Sequence, residues 1–149
     1  WNVNSHMMGE TIPKESNLVS LDPEKTDAWG IPLLNIDVDY DDNDEKMIQD
    51  FYEQFSEMYE KSGFVNIKTN DNGRRPGNDI HEMGGVRMGK NPKTSLLNAW
   101  NQMHECKNVF VTDGACMTST STQNPSLTFM AISARAANYA IRHMKKGLI

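Results

Sequence analysis

Two stretches with a helical spacing of apolar side chains, one in each half of the chain, constrain the fold most. In the first, at about residues 43–62, the apolar face holds Met47, Ile48, Phe51, Phe55, Met58 and Tyr59. Aspartates precede this stretch, where carboxylates oppose the helix dipole, and Gly63 follows it as a C-terminal glycine. The second stretch begins after Asn124-Pro125, and its alanine-rich stripe runs from Leu127 to Met144. Both stretches predict amphipathic helices, and the alanines of the second favour close packing against a sheet.

Extended segments are predicted around these helices. Leu18–Leu21 is one candidate strand, and Ile31–Tyr40 alternates apolar and polar side chains as a half-buried strand does. Phe64–Lys68 is a third candidate, before a polar loop at Thr69–Asn78. The apolar Val109–Val111 segment is typical of a strand buried in a parallel sheet. The sequence therefore predicts an α+β (α/β) fold.

Charge and composition exclude several classes of protein. The 149 residues carry a net charge of −5, which gives no electrostatic footprint for nucleic acid. No apolar run approaches the roughly 20 residues of a membrane span. No N-terminal stretch reads as a signal peptide, so the compartment stays open between cytoplasm and periplasm. The net charge is −9 over residues 1–75 and +4 over residues 76–149, and the basic back half could lie near an anionic ligand.

The cysteines and aspartates do not form a metal motif. Cys106 and Cys116 have only His104 nearby and lack a second close pair of ligands, so free, mostly buried thiols are expected. A disulfide between them would need an oxidising compartment. The alternating aspartates between positions 37 and 41 lack the glycine and glutamate that an EF-hand loop requires. The sequence therefore predicts no metal site.

His81 leads the residues that could carry chemistry. A histidine in a turn is usually structural, but Gly84 and Gly85 follow this one and let the backbone approach a ligand closely. Asp113-Gly114, after the last predicted strand, is either a plain turn or a place where a carboxylate and backbone amides meet a cofactor. For Asn124-Pro125 the local sequence favours a helix cap with Pro at the first helical position. The alternative for Asn124 is an amide that points at a ligand.

Three motifs, in order and at matching spacing, carry a family resemblance. They are His81–Gly89 (His-Glu-Met-Gly-Gly-Val-Arg-Met-Gly), Asn108–Ala115, and Asn124–Thr128 with Met130-Ala131. They resemble the C-terminal part of the glucose–methanol–choline (GMC) flavoprotein oxidoreductases. Residues 9–32 are similar to the substrate-domain sheet of the sugar-oxidising branch, which includes gluconate 2-dehydrogenase flavoprotein subunits and pyranose oxidase.

The resemblance covers nearly the whole chain, but only the last quarter or so of a family member. It implies that residues 1–80 are part of a substrate-binding domain built on an antiparallel sheet. It also implies that residues 81–149 return into an FAD-binding domain and bring the active-site motifs and the last helix.

The resemblance also implies a reaction and its residues. Family members oxidise an alcohol by hydride transfer to FAD, and this branch implies a sugar or sugar acid as substrate. His81 matches the base that takes the hydroxyl proton, and Asn124 matches the partner that holds the same oxygen. Imidazole titrates near neutral pH, which suits this proton transfer, and an amide adds no second charge. The implied cofactor-lining residues are Asp113, Gly114, Asn124, Pro125 and Thr128.

One family feature is missing from these residues. No strand is followed by Gly-x-Gly-x-x-Gly, the fingerprint that grips the pyrophosphate of a dinucleotide. We therefore expect the parent protein to be an FAD-dependent oxidoreductase, and this chain alone to lack tightly bound FAD and to be catalytically silent. The alternative is a non-catalytic remnant or a protein-interaction module. Uncovered apolar faces on Val109–Val111 and on the last helix would favour self-association.

Overall fold

The computed structural model describes residues 1–71, 73, 77 and 80–149. The chain divides into two compact units, Trp1–Asn78 and Asp79–Ile149, and each is described by itself. Two helices and a two-stranded antiparallel sheet confirm the predicted α+β class. In the described part of the chain, no helix is long and apolar enough to cross a membrane. The assignment of residues 1–80 to a substrate domain and of 81–149 to an FAD domain stays a prediction.

The first unit contains a β-hairpin. Strand β1 (Leu18–Thr26) pairs antiparallel with β2 (Pro32–Asp37), and an irregularity interrupts the ladder in the second half of β1. Asp27 organises the connection, because its carboxylate accepts hydrogen bonds from two amides of the turn at 2.8 and 2.9 Å. Both predicted strands are confirmed, although β1 is longer and β2 shorter than the predicted segments. The buried face predicted for the second strand is wrong, because all six residues of β2 are exposed.

Helix α1 (Asp42–Lys61) follows the hairpin and confirms the predicted helix to within one residue. Asp41 is its N-cap, and Asp41 and Asp44 form a capping box in which each carboxylate accepts from the other's backbone amide. At the other end, Gly63 has a φ of +83° and completes the hydrogen bonds of the last turn, which is the role predicted for it. Aromatic rings contact one another along the apolar face: Phe51, Phe55, Tyr59 and Phe64.

The segment after α1 is irregular, so the strand predicted at Phe64–Lys68 is wrong. Asn66 has a φ of +60°, which breaks an extended run, and the sheet among the described residues holds only β1 and β2. Within the polar loop predicted at Thr69–Asn78, the positions 72, 74–76 and 78 lie outside the described residues.

Loops joined by single β-bridges build the first half of the second unit. The bridges are Met88–Leu97, Leu97–Met103 and Gln102–Phe110. The fully or nearly fully buried apolar side chains in this unit are Leu97, Cys116 and Ala136. A short 3-10 helix (Gly114–Cys116) precedes helix α2 (Ser126–Met144), which confirms the predicted last helix.

Val109–Val111 does not form the parallel strand predicted for it. Phe110 makes one antiparallel bridge with Gln102. The amide and the carbonyl of Val111 are both hydrogen-bonded to Asn101. The backbone amide and carbonyl of Val111 are therefore already hydrogen-bonded to a loop residue. Among the described residues, the segment pairs with no parallel strand.

Candidate functional site

His81 lies at the start of the second unit and is 7% exposed. Its Nδ1 atom is buried and has no hydrogen-bond partner among the described residues. A buried polar atom without a partner costs about 1–3 kcal/mol, so stability alone does not explain a histidine in this state. The structure therefore disfavours the interpretation of His81 as a satisfied turn histidine.

The residues after His81 run along the short 3-10 helix. The amide of Val86 donates to the carbonyl of Ala115 at 3.0 Å, and the amide of Met88 donates to the carbonyl of Cys116 at 2.9 Å. These two bonds hold the glycine-rich segment 81–89 against the second and third residues of that helix.

Gly114 marks the point where this segment and α2 come together. A Cβ atom on Gly114 would lie 2.8 Å from the Glu82 carbonyl oxygen, 3.1 Å from the Met83 sulfur and 3.3 Å from the Phe129 ring. Only a glycine leaves room for an approach this close. The structure thus brings together the backbone next to His81, the turn at Gly114 and the start of α2.

Asp113 and Asn124 lie before the two helices of this region. Asp113 is exposed and caps the 3-10 helix, since its carboxylate accepts from the Ala115 amide at 2.9 Å. Asn124 is also exposed, and Pro125 takes the N-cap position of α2 without a side-chain cap hydrogen bond. The prediction that Asn124 caps the helix and Pro125 begins it is therefore wrong, because α2 begins one residue later.

Thr128 lies on a shallow groove of about 330 Å³ that follows one stripe of α2. The lining residues are Leu127, Thr128, Ala131, Ile132 and Arg135. Neither His81 nor Asn124 lines this groove. The convergence of the His81 and Asn124 side chains on one cavity stays a prediction.

The two cysteines are free thiols in different surroundings. Cys116 is fully buried, and burial raises the pKa of its thiol, against a hydrogen bond from Asn101 that lowers it. Cys106 is exposed, so the prediction that both thiols are mostly buried is wrong for this residue. Among the residues that the structure describes, no three His, Cys, Asp or Glu side chains are grouped to hold a metal.

Asn101 and Arg135 form a hydrogen bond within the second unit that no motif of the sequence indicates. Asn101 is fully buried with a φ of +63°, and its side-chain oxygen accepts a hydrogen bond from Arg135 at 3.1 Å. The sequence signal at this position is the run Asn98-Ala-Trp-Asn-Gln102, whose asparagines suit turns. A buried asparagine and a surface turn asparagine look alike in sequence.

Comparison with known proteins decides the family. The profile of the GMC oxidoreductase family matches residues 13–133, which is most of the chain. The chain belongs to the GMC oxidoreductase family. The resemblance found in its three motifs is therefore confirmed.

Named GMC relatives include dehydrogenases of alcohols and sugars. The chain is 36% identical over 137 residues to 2-methyl-1,2-propanediol dehydrogenase of Mycolicibacterium austroafricanum, which covers 91% of this chain and 24% of that protein. It is 29% identical over 138 residues to the fructose dehydrogenase large subunit of Gluconobacter japonicus, covering 93% and 25%. It is 33% identical over 105 residues to the gluconate 2-dehydrogenase flavoprotein of Pantoea cypripedii, covering 64% and 17%. The chain spans about a quarter or less of the length of these relatives.

GMC oxidoreductases are FAD-dependent, and the residues of this chain fit part of such a site. The backbone around Gly114 leaves no space for a side chain, and the adjacent segment carries the unpartnered ring nitrogen of His81. The start of α2 also has no side-chain cap on its first amides. A buried ring nitrogen without a partner among the described residues and helix amides without a side-chain cap are features that can receive a ligand.

Proposed function

We propose that this chain supplies the proton-transfer and substrate-holding residues of an FAD-dependent oxidoreductase that oxidises an alcohol group of a sugar or sugar acid. The observation that carries this proposal is the buried Nδ1 atom of His81, which has no partner among the described residues and lies beside the close contact at Gly114. Membership of the GMC family supports the dependence on FAD. The names of two relatives, fructose dehydrogenase and gluconate 2-dehydrogenase, support a sugar or sugar acid.

His81 and Asn124 act on the same substrate oxygen in this proposal. His81 accepts the hydroxyl proton, and the oxygen gains alkoxide character, which makes loss of hydride from the adjacent carbon easier. The amide of Asn124 donates a hydrogen bond to that oxygen without adding a charge. Bound FAD would supply the hydride acceptor that converts the alcohol into a carbonyl compound.

We assign contact with FAD to residues around the two helix starts of the second unit. Gly114 lets the turn pack closely against the Glu82 carbonyl, and the first amides of α2 carry a positive potential that suits an electron-rich ring. Buried Pro125 fixes where the helix begins. The assigned residues are Asp113, Gly114, Asn124, Pro125 and Thr128.

Purifying the protein that carries this chain tests the proposal. We expect stoichiometric FAD, released by denaturation and measured by its absorption. With an artificial electron acceptor, we expect oxidation of some members of a panel of polyols, sugars and sugar acids. Matched deoxy sugars that lack the oxidised hydroxyl serve as controls and should not react. A protein with bound FAD that oxidises no alcohol would contradict the assignment.

A second candidate function is a non-catalytic module that binds another protein. The observation that favours it is the exposure of large apolar side chains, for example 77% for Leu127 and 69% for Met130 on α2. A folded protein that is purified colourless and associates with itself or a partner would support this alternative.

The isolated 149-residue chain should bind FAD weakly, because the pyrophosphate fingerprint is not in it. We expect titration of the chain into FAD, followed by flavin fluorescence, to show no saturable binding tighter than about micromolar, which corresponds to roughly −8 kcal/mol. The same titration with urea-unfolded chain sets the background. Saturable binding with a dissociation constant below about micromolar would show that the chain binds the cofactor by itself.

A further inference from the structure

Asn101 holds the backbone of Val111 from both sides. Its carbonyl accepts from the Val111 amide at 3.0 Å, and its side-chain Nδ2 donates to the Val111 carbonyl at 3.0 Å. Asn101 is fully buried and sits in the left-handed region at φ +63°, which asparagine tolerates better than most residues. Val111 is two residues before Asp113, so Asn101 fixes the chain that leads into the Gly114 turn.

The Asn101 side chain also forms a hydrogen bond with a residue of α2. Its Oδ1 atom accepts from Nη2 of Arg135 at 3.1 Å, and the guanidinium lies 5.8 Å from the centre of the Trp100 ring. Nη2 of Arg135 also approaches the sulfur of Met88 at 3.7 Å. Arg135 therefore joins Asn101 on one side and the end of the His81 segment on the other.

Cys116 closes the connection from the third side. The Asn101 side chain lowers the pKa of its thiol, against the burial that raises it, and its carbonyl accepts from the Met88 amide at 2.9 Å. One buried asparagine thus reaches the segment before Asp113, the 3-10 helix and, through Arg135, helix α2. Each of these segments carries a residue assigned to the site.

We propose that Asn101 and Arg135 are positioning residues, which together hold the His81 segment, the Gly114 turn and α2 in the arrangement that catalysis needs. The inference rests on the proposed function for its effect on turnover, and on the contacts alone for its effect on structure. Neither residue touches substrate in this account. Their replacement should misplace His81 without removing any catalytic group.

Two disrupting variants, one conservative variant and one control separate the parts of this network. Asn101→Asp keeps the size, the tolerance of positive φ and the acceptor for Arg135, but replaces the donor to Val111 with an oxygen. Arg135→Gln removes the positive charge at this position, whereas Arg135→Lys keeps it. Arg142→Gln is the matched control, because Arg142 lies exposed on the same helix and donates to the Asn138 carbonyl of its own turn at 3.1 Å.

Hydrogen exchange in the protein that carries this chain tests the structural part and does not depend on activity. We expect the amides of Val86 and Met88 to exchange about ten-fold faster in Asn101→Asp and Arg135→Gln than in wild type and Arg142→Gln. Arg135→Lys should restore part of the protection. Unchanged exchange at these amides in both variants would overturn the proposal.

Steady-state kinetics tests the catalytic part. At equal FAD content, we expect kcat to fall at least about ten-fold in both variants, because misplacing a catalytic group by about 1 Å can cost far more than this. KM should change less than kcat, since neither variant removes a group that is assigned to the substrate. A variant with full FAD content, fast hydrogen exchange at these amides and the kcat of the wild type would show a purely structural role. This result would overturn the positioning claim. A loaded wild type that oxidises no alcohol would instead contradict the proposed function, and exchange would still decide whether the network holds the segment.

Discussion

Replacing His81 with glutamine should lower kcat for alcohol oxidation by about 10²–10⁴-fold, the usual contribution of a general base. Glutamine keeps polar atoms in the buried position but cannot accept the hydroxyl proton at neutral pH. The substrate would then have to lose its hydride while the proton stays on the oxygen. The measurement is kcat at saturating substrate, normalised to bound FAD.

His104→Gln is the matched control for this variant. His104 belongs to the same unit, and its Nε2 lies 3.2 Å from the Ser95 hydroxyl, so its ring already has a partner. We expect the control to keep kcat within about two-fold of wild type, because this residue is outside the proposed site. A His81→Gln protein that binds FAD and turns over at the wild-type rate would remove His81 from the mechanism.

Replacing Gly114 with valine should remove FAD binding and lower the free energy of unfolding by about 1–3 kcal/mol, the usual cost of overpacking. The reason is the 2.8 Å separation between a Cβ atom there and the Glu82 carbonyl oxygen, which is backbone and cannot rotate away. The His81 segment must therefore shift. FAD content after gel filtration and denaturant unfolding measure the two effects.

Gly85→Ala provides the comparison for stability. A Cβ atom on Gly85 meets nothing within 4 Å, so we expect the free energy of unfolding to change by no more than about 0.5 kcal/mol. If Gly114→Val keeps both its FAD and its stability, the contact between Gly114 and the His81 segment is not important for the site.

Local signals made helix α1 predictable. The aspartates before it, the apolar spacing within it and Gly63 after it each act within a few residues, and each has the predicted role in the structure. The apolar residues of Phe64–Lys68 and Val109–Val111 likewise predict strands, but neither segment forms the strand predicted for it. Whether a short apolar segment becomes a strand depends on what lies beside it, which the local sequence does not contain.

The candidate site was predictable only where a motif was continuous in sequence. His81, Asp113 and Gly114 belong to such motifs, and the structure shows the contact that Gly114 makes with the His81 segment. The pair Asn101 and Arg135 is separated by 34 residues, and no local pattern links the two. The local sequence predicts that α2 begins one residue too early, and this difference removes Asn124 from the N-cap position.

The central claim is that His81 and Asn124 act on one substrate oxygen next to FAD. Anaerobic mixing of the loaded protein with its alcohol substrate, followed by the loss of flavin absorption, measures the reaction in a single turnover. The wild type, His81→Gln, Asn124→Ala and the double variant form a cycle. We expect rapid bleaching in the wild type. We also expect the double variant to slow bleaching by less than the product of the two single effects, because both residues act on one oxygen. Strictly multiplicative effects, or a bound flavin that no alcohol reduces, would contradict it.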